Sequence, residues 1–210
     1  MSCTYELNSR VFSKGVTWEM VEESPFDKGE TLQFKENNKR LRFLSEDEII
    51  RLLDECPKYL RPVVECAINT GMDKGELLKL KWGQIRNDFI SLGKYKTRPN
   101  RQIPINDDLK ALFKQIRREN HLRSEYVFTR NGKTPMNSIK RGFKAALIRA
   151  GIEDFRFKDL RHTFTSHFTM RGGSLKELQE LMGHTTMTMT LRYAHLSQEH
   201  KKKAVNRLID

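Results

Sequence analysis

The sequence predicts a mainly α fold with a small antiparallel β-sheet, an α+β domain. Apolar residues recur at helical spacing over most of the chain. Two Ser-x-x-Glu capping boxes, Ser45 to Glu48 and Ser174 to Glu177, mark helix starts. One stretch, residues 88–105, changes to short runs of strand-forming residues separated by turn residues.

Residues 1–24 read as one helix and its exit, helical from Leu7 to Val21 and stopped at Ser24-Pro25-Phe26. Residues 27–40 are polar and basic and read as a linker. Ser45-Glu46-Asp47-Glu48 opens a helix that carries Ile49, Ile50, Leu52 and Leu53. Pro57 and Pro62 bracket the next helix start, and Leu60, Val63, Val64, Ala67 and Ile68 follow helical spacing. Thr70-Gly71 ends or bends that helix, and Glu76 to Leu80 begins another. Phe89 to Leu92, Lys94 to Thr97 and Arg101 to Ile105 read as strands, with Arg98-Pro99-Asn100 as a turn. From 107 the pattern is helical almost to the end. Leu160, Phe164 and Phe168 recur every four residues, a buried stripe. The helix opened by Ser174 ends near Gly183, and a last amphipathic helix starts near Ser197, carrying Ala204, Val205, Leu208 and Ile209.

The 210 residues hold 39 Lys and Arg against 27 Asp and Glu, a formal charge of +12. Such a surplus favours a polyanionic partner, nucleic acid foremost. The basic residues are spread along the chain, which predicts a charged face rather than a charged tail. Cys3, Cys56 and Cys66 are odd in number and form no CxxC, so neither a disulfide framework nor a zinc site is indicated. Cys56 and Cys66 fall in helical patterns and read as core, which fits a reducing compartment. No apolar run approaches a membrane span and no signal h-region is present, so the expected location is cytoplasmic, with no membrane partner.

The chemistry concentrates near the C-terminus. Leu181-Met182-Gly183-His184 is followed by Thr190-Leu191-Arg192-Tyr193-Ala194-His195, and upstream stands Lys158-Asp159-Leu160-Arg161-His162-Thr163-Phe164. A phenol, with an ordinary pKa of about 10, attacks phosphorus only where cations stabilise the developing charge. Arg161 has the fork geometry to clamp two phosphate oxygens. Lys158, three residues earlier, shares nearly the same helix face. Taken singly, Tyr193 reads equally as a core residue, Arg161 as a surface arginine and His184 as a helix-cap histidine. His162 is expected to pack or hydrogen-bond beside Arg161. The pairs His162/His167 and His195/His200 are five apart, poor spacing for metal ligands on a helix. There is no HExxH, and Arg171-Gly172-Gly173-Ser174 lacks the lysine spacing of a P-loop. Neither a metal nor a nucleotide cofactor is expected.

These motifs resemble the catalytic box of the tyrosine recombinases, the phage integrase family, over about residues 40–210. The resemblance implies a helical catalytic domain with a small edge sheet, acting on double-stranded DNA without ATP. Tyr193 would attack a phosphodiester to give a 3′-phosphotyrosyl link and a free 5′ hydroxyl, and a partner strand would reverse the step. Arg161 and His184 would hold the phosphate, joined by Lys158, where the family usually has histidine. Lys96, in Tyr95-Lys96-Thr97, matches the hairpin lysine that protonates the leaving oxygen. Lys74, Arg98, Arg101 and Arg192 would contact DNA. Residues 1–39 resemble the closing helix of the family's core-binding domain plus a basic linker, with Ser-Pro-Phe where Asn-Pro is usual. The chain then reads as a catalytic-domain fragment, bacterial or phage-encoded. Residues 197–209 resemble the tail helix that docks on a neighbouring subunit, and packing in cis is the alternative.

One position departs from the pattern. Thr70-Gly71-Met72-Asp73-Lys74-Gly75-Glu76-Leu77 matches Thr-Gly-x-Arg-x-x-Glu-Leu except that Asp73 stands where the first catalytic arginine belongs. An anion there opposes a phosphate, and losing one such donor costs about 10²–10³ in rate. Lys74 is a poor substitute on a regular helix, where it points about 100° away. Three readings stay open: poor cleavage, Lys74 reaching in through an irregular turn, or a residue altered to disable cleavage. A catalytically silent DNA-binding module and a type IB topoisomerase-like enzyme are the competing functions.

Overall fold

A computed structural model describes residues 2–27, 41–93, 99–120, 124–130, 132 and 134–197, with the side chains of 2–6 and of 120 left aside. The expected strand at 94–97, with Lys96 and the adjoining Arg98, most of the linker and the C-terminal helix beyond Ser197 lie outside the described residues. The chain divides into two units, Met1–Arg40 and Leu41–Asp210.

In the first unit, helix α1 spans Ser2–Thr17. It stops short of the expected Val21 because Glu19 takes a left-handed backbone, φ 57°. That turn lets the Met20 N–H reach back to the Gly15 carbonyl at 2.9 Å, a Schellman-type end. Ser24 is buried and its hydroxyl accepts the Phe26 N–H at 3.3 Å. Phe26 lies 5.5 Å from Phe12, ring centre to ring centre.

The second unit opens with α2, Glu46–Glu55, capped as expected. Ser45 Oγ accepts the Glu48 N–H, and the Glu48 carboxylate accepts the Ser45 N–H at 2.9 Å. Arg42 pairs with the same carboxylate, and this hydrogen bond holds Glu48 below the usual carboxylate range. Helix α3, Arg61–Thr70, starts with Pro62 in its first turn, where no N–H is needed. It ends at Gly71, φ 62°, whose N–H bonds the Ala67 carbonyl. Helix α4 is short, Lys74–Leu78, with Asp73 as its extended N-cap.

A 3₁₀ turn, Trp82–Gln84, leads into a three-stranded antiparallel sheet in the order β1-β2-β3. Its strands are β1 (Ile85–Arg86), β2 (Phe89–Leu92) and β3 (Arg101–Pro104). Ile90 faces Ile85 on one side and Ile103 on the other. The sequence pattern missed β1, which is two residues long and too short to show alternation.

Helices α5 (Asp107–Asn120), α6 (Lys140–Arg149), α7 (Asp159–Met170), α8 (Leu175–Met182) and α9 (Thr188–Leu191) follow. The expectation of helix almost throughout fails between α5 and α6. There the chain runs beside residues 80–82, with the Val127 N–H on the Leu80 carbonyl at 2.8 Å and the Trp82 N–H on the Glu125 carbonyl at 2.9 Å. Gly132, φ 76°, and Pro135 both oppose a helix in that segment.

Helix α7 packs on α3. Around this pair a single core gathers Val63, Val64, Leu77, Ile90, Ile103, Leu109 and Leu160, all 1 % exposed or less. Cys56 and Cys66 sit in it, and burial pushes their thiols up to about 11 and about 12. A second cluster joins Leu178, Met182 and Tyr193, flanked by the partly buried Leu41, Phe164, Phe168 and Leu196. The expected stripe on α7 is therefore split: Leu160 serves the main core, and Phe164 and Phe168 serve the cluster that holds Tyr193. Among the described residues no helix is long and apolar enough to cross a membrane.

Candidate active site

Three segments meet around Arg161. Its Nη1 donates to the Gly71 carbonyl at 2.7 Å and its Nη2 to the Met182 carbonyl at 2.5 Å. The residue is 7 % exposed, so the surface-arginine alternative is excluded. The left-handed Gly71 turns its carbonyl toward α7, and a Cβ at that glycine would lie 2.7 Å from Phe164 Cδ1. The Met182 carbonyl is available because α8 ends there, at Gly183 with φ 62°. One guanidinium thus ties the turn ahead of Asp73 to the end of α8.

The same helix end carries His184. Its Nδ1 is 2.8 Å from the Thr190 hydroxyl, which is fully buried on α9. Gln179 Nε2 donates to the His184 carbonyl at 3.3 Å. These bonds fix the imidazole and connect α8 to the short helix preceding Tyr193.

Tyr193 is 2 % exposed. Its hydroxyl lies 2.5 Å from His162 Nδ1, and the two ring centres are 6.0 Å apart. Burial raises the phenol above its ordinary range, opposed by a hydrogen bond with Thr165 and by the charges of Arg192 and Arg161. Burial also lowers the His162 imidazole, reinforced by Arg192, Lys158 and Arg161 and opposed by Asp159. The sequence marked His162 only as a neighbour of Arg161. Its bond to Tyr193 spans 31 residues, and no local spacing signals it.

The other expected site residues divide. Lys158 is the exposed N-cap of α7, and Arg192 is half-buried where α9 ends. Both lie close enough for their charges to act on His162. Lys74 is half-buried in the first turn of α4. Asp73 caps that helix, and its N–H bonds the Glu76 carboxylate at 2.8 Å. Arg101 does not face outward, as its place among the DNA-contacting cations required. It is 7 % exposed and paired with Glu76 at 2.8 Å, since the inward side of β3 turns it toward α4. Lys96 and Arg98 belong to the segment outside the described residues.

A cleft of about 1140 Å³ lies between the β2–β3 sheet and α8. Leu92, Arg101, Gln102, Lys176 and His184 line it. Among the described residues no group of three or more His, Cys, Asp or Glu side chains is arranged to hold a metal ion.

The phage integrase family model matches residues 42–200. The chain belongs to the phage integrase family. It is 34% identical over 199 residues to the integrase of Salmonella phage P22, covering 87% of this chain and 50% of that protein. To the integrase of Haemophilus phage HP1 it is 35% identical over 179 residues, covering 82% and 49%. The chain thus spans about half the length of the integrases it matches. The solved catalytic domain of bacteriophage HP1 integrase superposes with a TM-score of 0.62 at 33% identity, covering 80% of this chain and 95% of that one. A lambda integrase dimer bound to a COC′ core site has the same fold, with a TM-score of 0.73 at 23% identity, over 89% of this chain and 56% of that one. The mostly helical architecture with a small antiparallel sheet is that of a tyrosine recombinase catalytic domain.

Proposed function

We propose that this integrase-family domain cleaves and rejoins DNA strands in site-specific recombination through a 3′-phosphotyrosyl intermediate. Tyr193 is the nucleophile. Arg161, His184 and Lys158 hold the phosphate, and Lys96 protonates the departing 5′ oxygen. The single observation that carries this reading is the junction at Arg161. One buried guanidinium spans the turn before position 73 and the end of α8, and the next residue along α7 bonds the Tyr193 phenol. Groups far apart in sequence meet at this junction, and preorganised donors are the main source of rate in such transfers.

Asp73 weakens the chemistry. It stands two residues from the carbonyl that receives Arg161, so its carboxylate opposes a phosphate drawn to that region. The same observation favours a second reading, a DNA-binding module of this fold that no longer cleaves. In either case double-stranded DNA is the partner, supported by the net charge of +12 and by the lambda integrase dimer bound to its core site. Self-association through residues 197–209 and a cytoplasmic location in a bacterial host are parts of the same reading. The phage origin of the relatives supports the latter.

The test is a nicked suicide duplex and a denaturing gel. A covalent adduct that Tyr193→Phe abolishes supports the recombinase. Salt-sensitive binding with no adduct, and adducts on Asp73→Arg, support the silent module.

A further inference from the structure

In the reading above the bond between Tyr193 and His162 has no chemical role. A phenol that attacks phosphorus must lose its proton as the new bond forms, and the acceptor must lie within hydrogen-bond reach. His162 Nδ1 lies 2.5 Å from the phenolic oxygen. Thr165 also reaches that oxygen, but its hydroxyl lies 3.0 Å from both the Arg161 and His162 carbonyls and has no basic lone pair comparable to imidazole. Arg161, Arg192 and protonated Lys158 are donors only. The imidazole of His184 faces Thr190.

We propose that His162 accepts the Tyr193 proton during strand cleavage and returns it during rejoining. This rests on the recombinase reading and adds to it a base that no motif spacing indicates. The proton passes from the phenolic oxygen to Nδ1 as the oxygen–phosphorus bond forms and the bond to the 5′ oxygen breaks. The departing oxygen takes a proton from a lysine ammonium or water. In the reverse step a 5′ hydroxyl attacks the phosphotyrosine and gives its proton back to that donor, and His162 Nδ1–H reprotonates the phenol.

The surroundings suit the role. The groups acting on His162 are Asp159, Lys158 and Arg161 at the start of its own helix, and Arg192 and Tyr193 beyond α9. Burial and the three cations hold the imidazole below its ordinary value, which favours the neutral, proton-accepting form. The same cations stabilise negative charge growing on the phenolic oxygen. Burial raises the phenol, so its proton stays in place until phosphorus is engaged.

Two measurements test this, both on the full chain. The first is nitrogen NMR on histidine-labelled wild-type protein, which needs no variant. The proposal expects His162 with a bare Nδ1 and a protonated Nε2. A proton on Nδ1 overturns it. The second follows adduct formation by the Asp73→Arg chain on a suicide duplex with a 5′-bridging sulfur, whose departure needs no proton donor. His162→Asn and His162→Phe are expected to slow the adduct by about 10²–10⁴-fold and to remove the acidic limb of the pH profile. An unchanged rate overturns the base. A faster rate also overturns it, and makes the bond a lock on the nucleophile. If the parent chain forms no adduct, the recombinase reading falls and this one with it. A protonated Nδ1 or an unaffected variant removes this one alone.

Discussion

Glu76 and Arg101 form a buried ion pair at 2.8 Å, their side chains 2% and 3% exposed. The Glu76 oxygen that holds the guanidinium also accepts the Asp73 N–H at 2.8 Å. One carboxylate oxygen therefore joins the N-terminus of α4 to the start of β3. That strand follows directly on the segment containing Lys96.

Removing one partner leaves the other charge buried without its ion-pair partner. Glu76→Ala or Arg101→Ala is expected to lower stability by about 3–5 kcal/mol in urea unfolding. The double replacement with methionine is expected to cost much less than the sum of the two. Additive losses would show that the pair is not coupled.

Asp73 suits the helix it caps better than it suits a phosphate. Asp73→Arg puts a cation in place of an anion at the N-terminus of α4, a loss of about 0.3–1 kcal/mol through the helix dipole. The same change puts a cation two residues from the carbonyl that receives Arg161 and is expected to raise adduct formation at least about 10²–10³-fold. Calorimetry and a cleavage gel on the one variant read both effects, which run in opposite directions.

Gly71 is required twice. Its φ of 62° costs a side-chain-bearing residue about 1–2 kcal/mol. A Cβ would also meet Phe164 at 2.7 Å and Met182 Cε at 3.0 Å. Gly71→Ala is expected to destabilise the domain by more than the backbone term alone. It is also expected to weaken DNA binding, because the displaced carbonyl no longer aligns Arg161. Filter binding beside thermal unfolding separates the two effects.

The pH dependence of stability has two arms around Tyr193. The phenol is raised on folding, so the folded state holds that proton more tightly. Its contribution is complete below the ordinary phenol value of about 10 and is lost as pH climbs through the raised one. The His162 imidazole is lowered, so its contribution is present above about 6.5 and is lost as pH falls through the depressed value. Tyr193→Phe is expected to flatten the alkaline slope of the unfolding free energy, and His162→Phe the acidic one.

Much of this site could be read from the sequence, for physical reasons. Capping boxes are local, so Ser45 and Ser174 marked their helices correctly, and Gly71 and Gly183 marked two helix ends that feed Arg161. What stayed hidden depends on contacts distant along the chain. The His162–Tyr193 bond spans 31 residues and the Arg101–Glu76 pair 25. Arg101 read as a surface cation because alternation on a four-residue strand does not say which face is buried. The irregular segment before α6 carries apolar residues that mimic helical spacing, and its pairing with residues 80–82 is again non-local.

The central claim is that Tyr193 becomes covalently joined to a DNA 3′ phosphate. The direct measurement is mass spectrometry of the chain with Asp73 in place, after incubation with a pool of nicked duplexes of randomised sequence, followed by nuclease and protease digestion. The account predicts a nucleotide 3′-phosphate on the peptide containing Tyr193 and on no other. An unmodified Tyr193 peptide, or a nucleotide on a different residue, would contradict it.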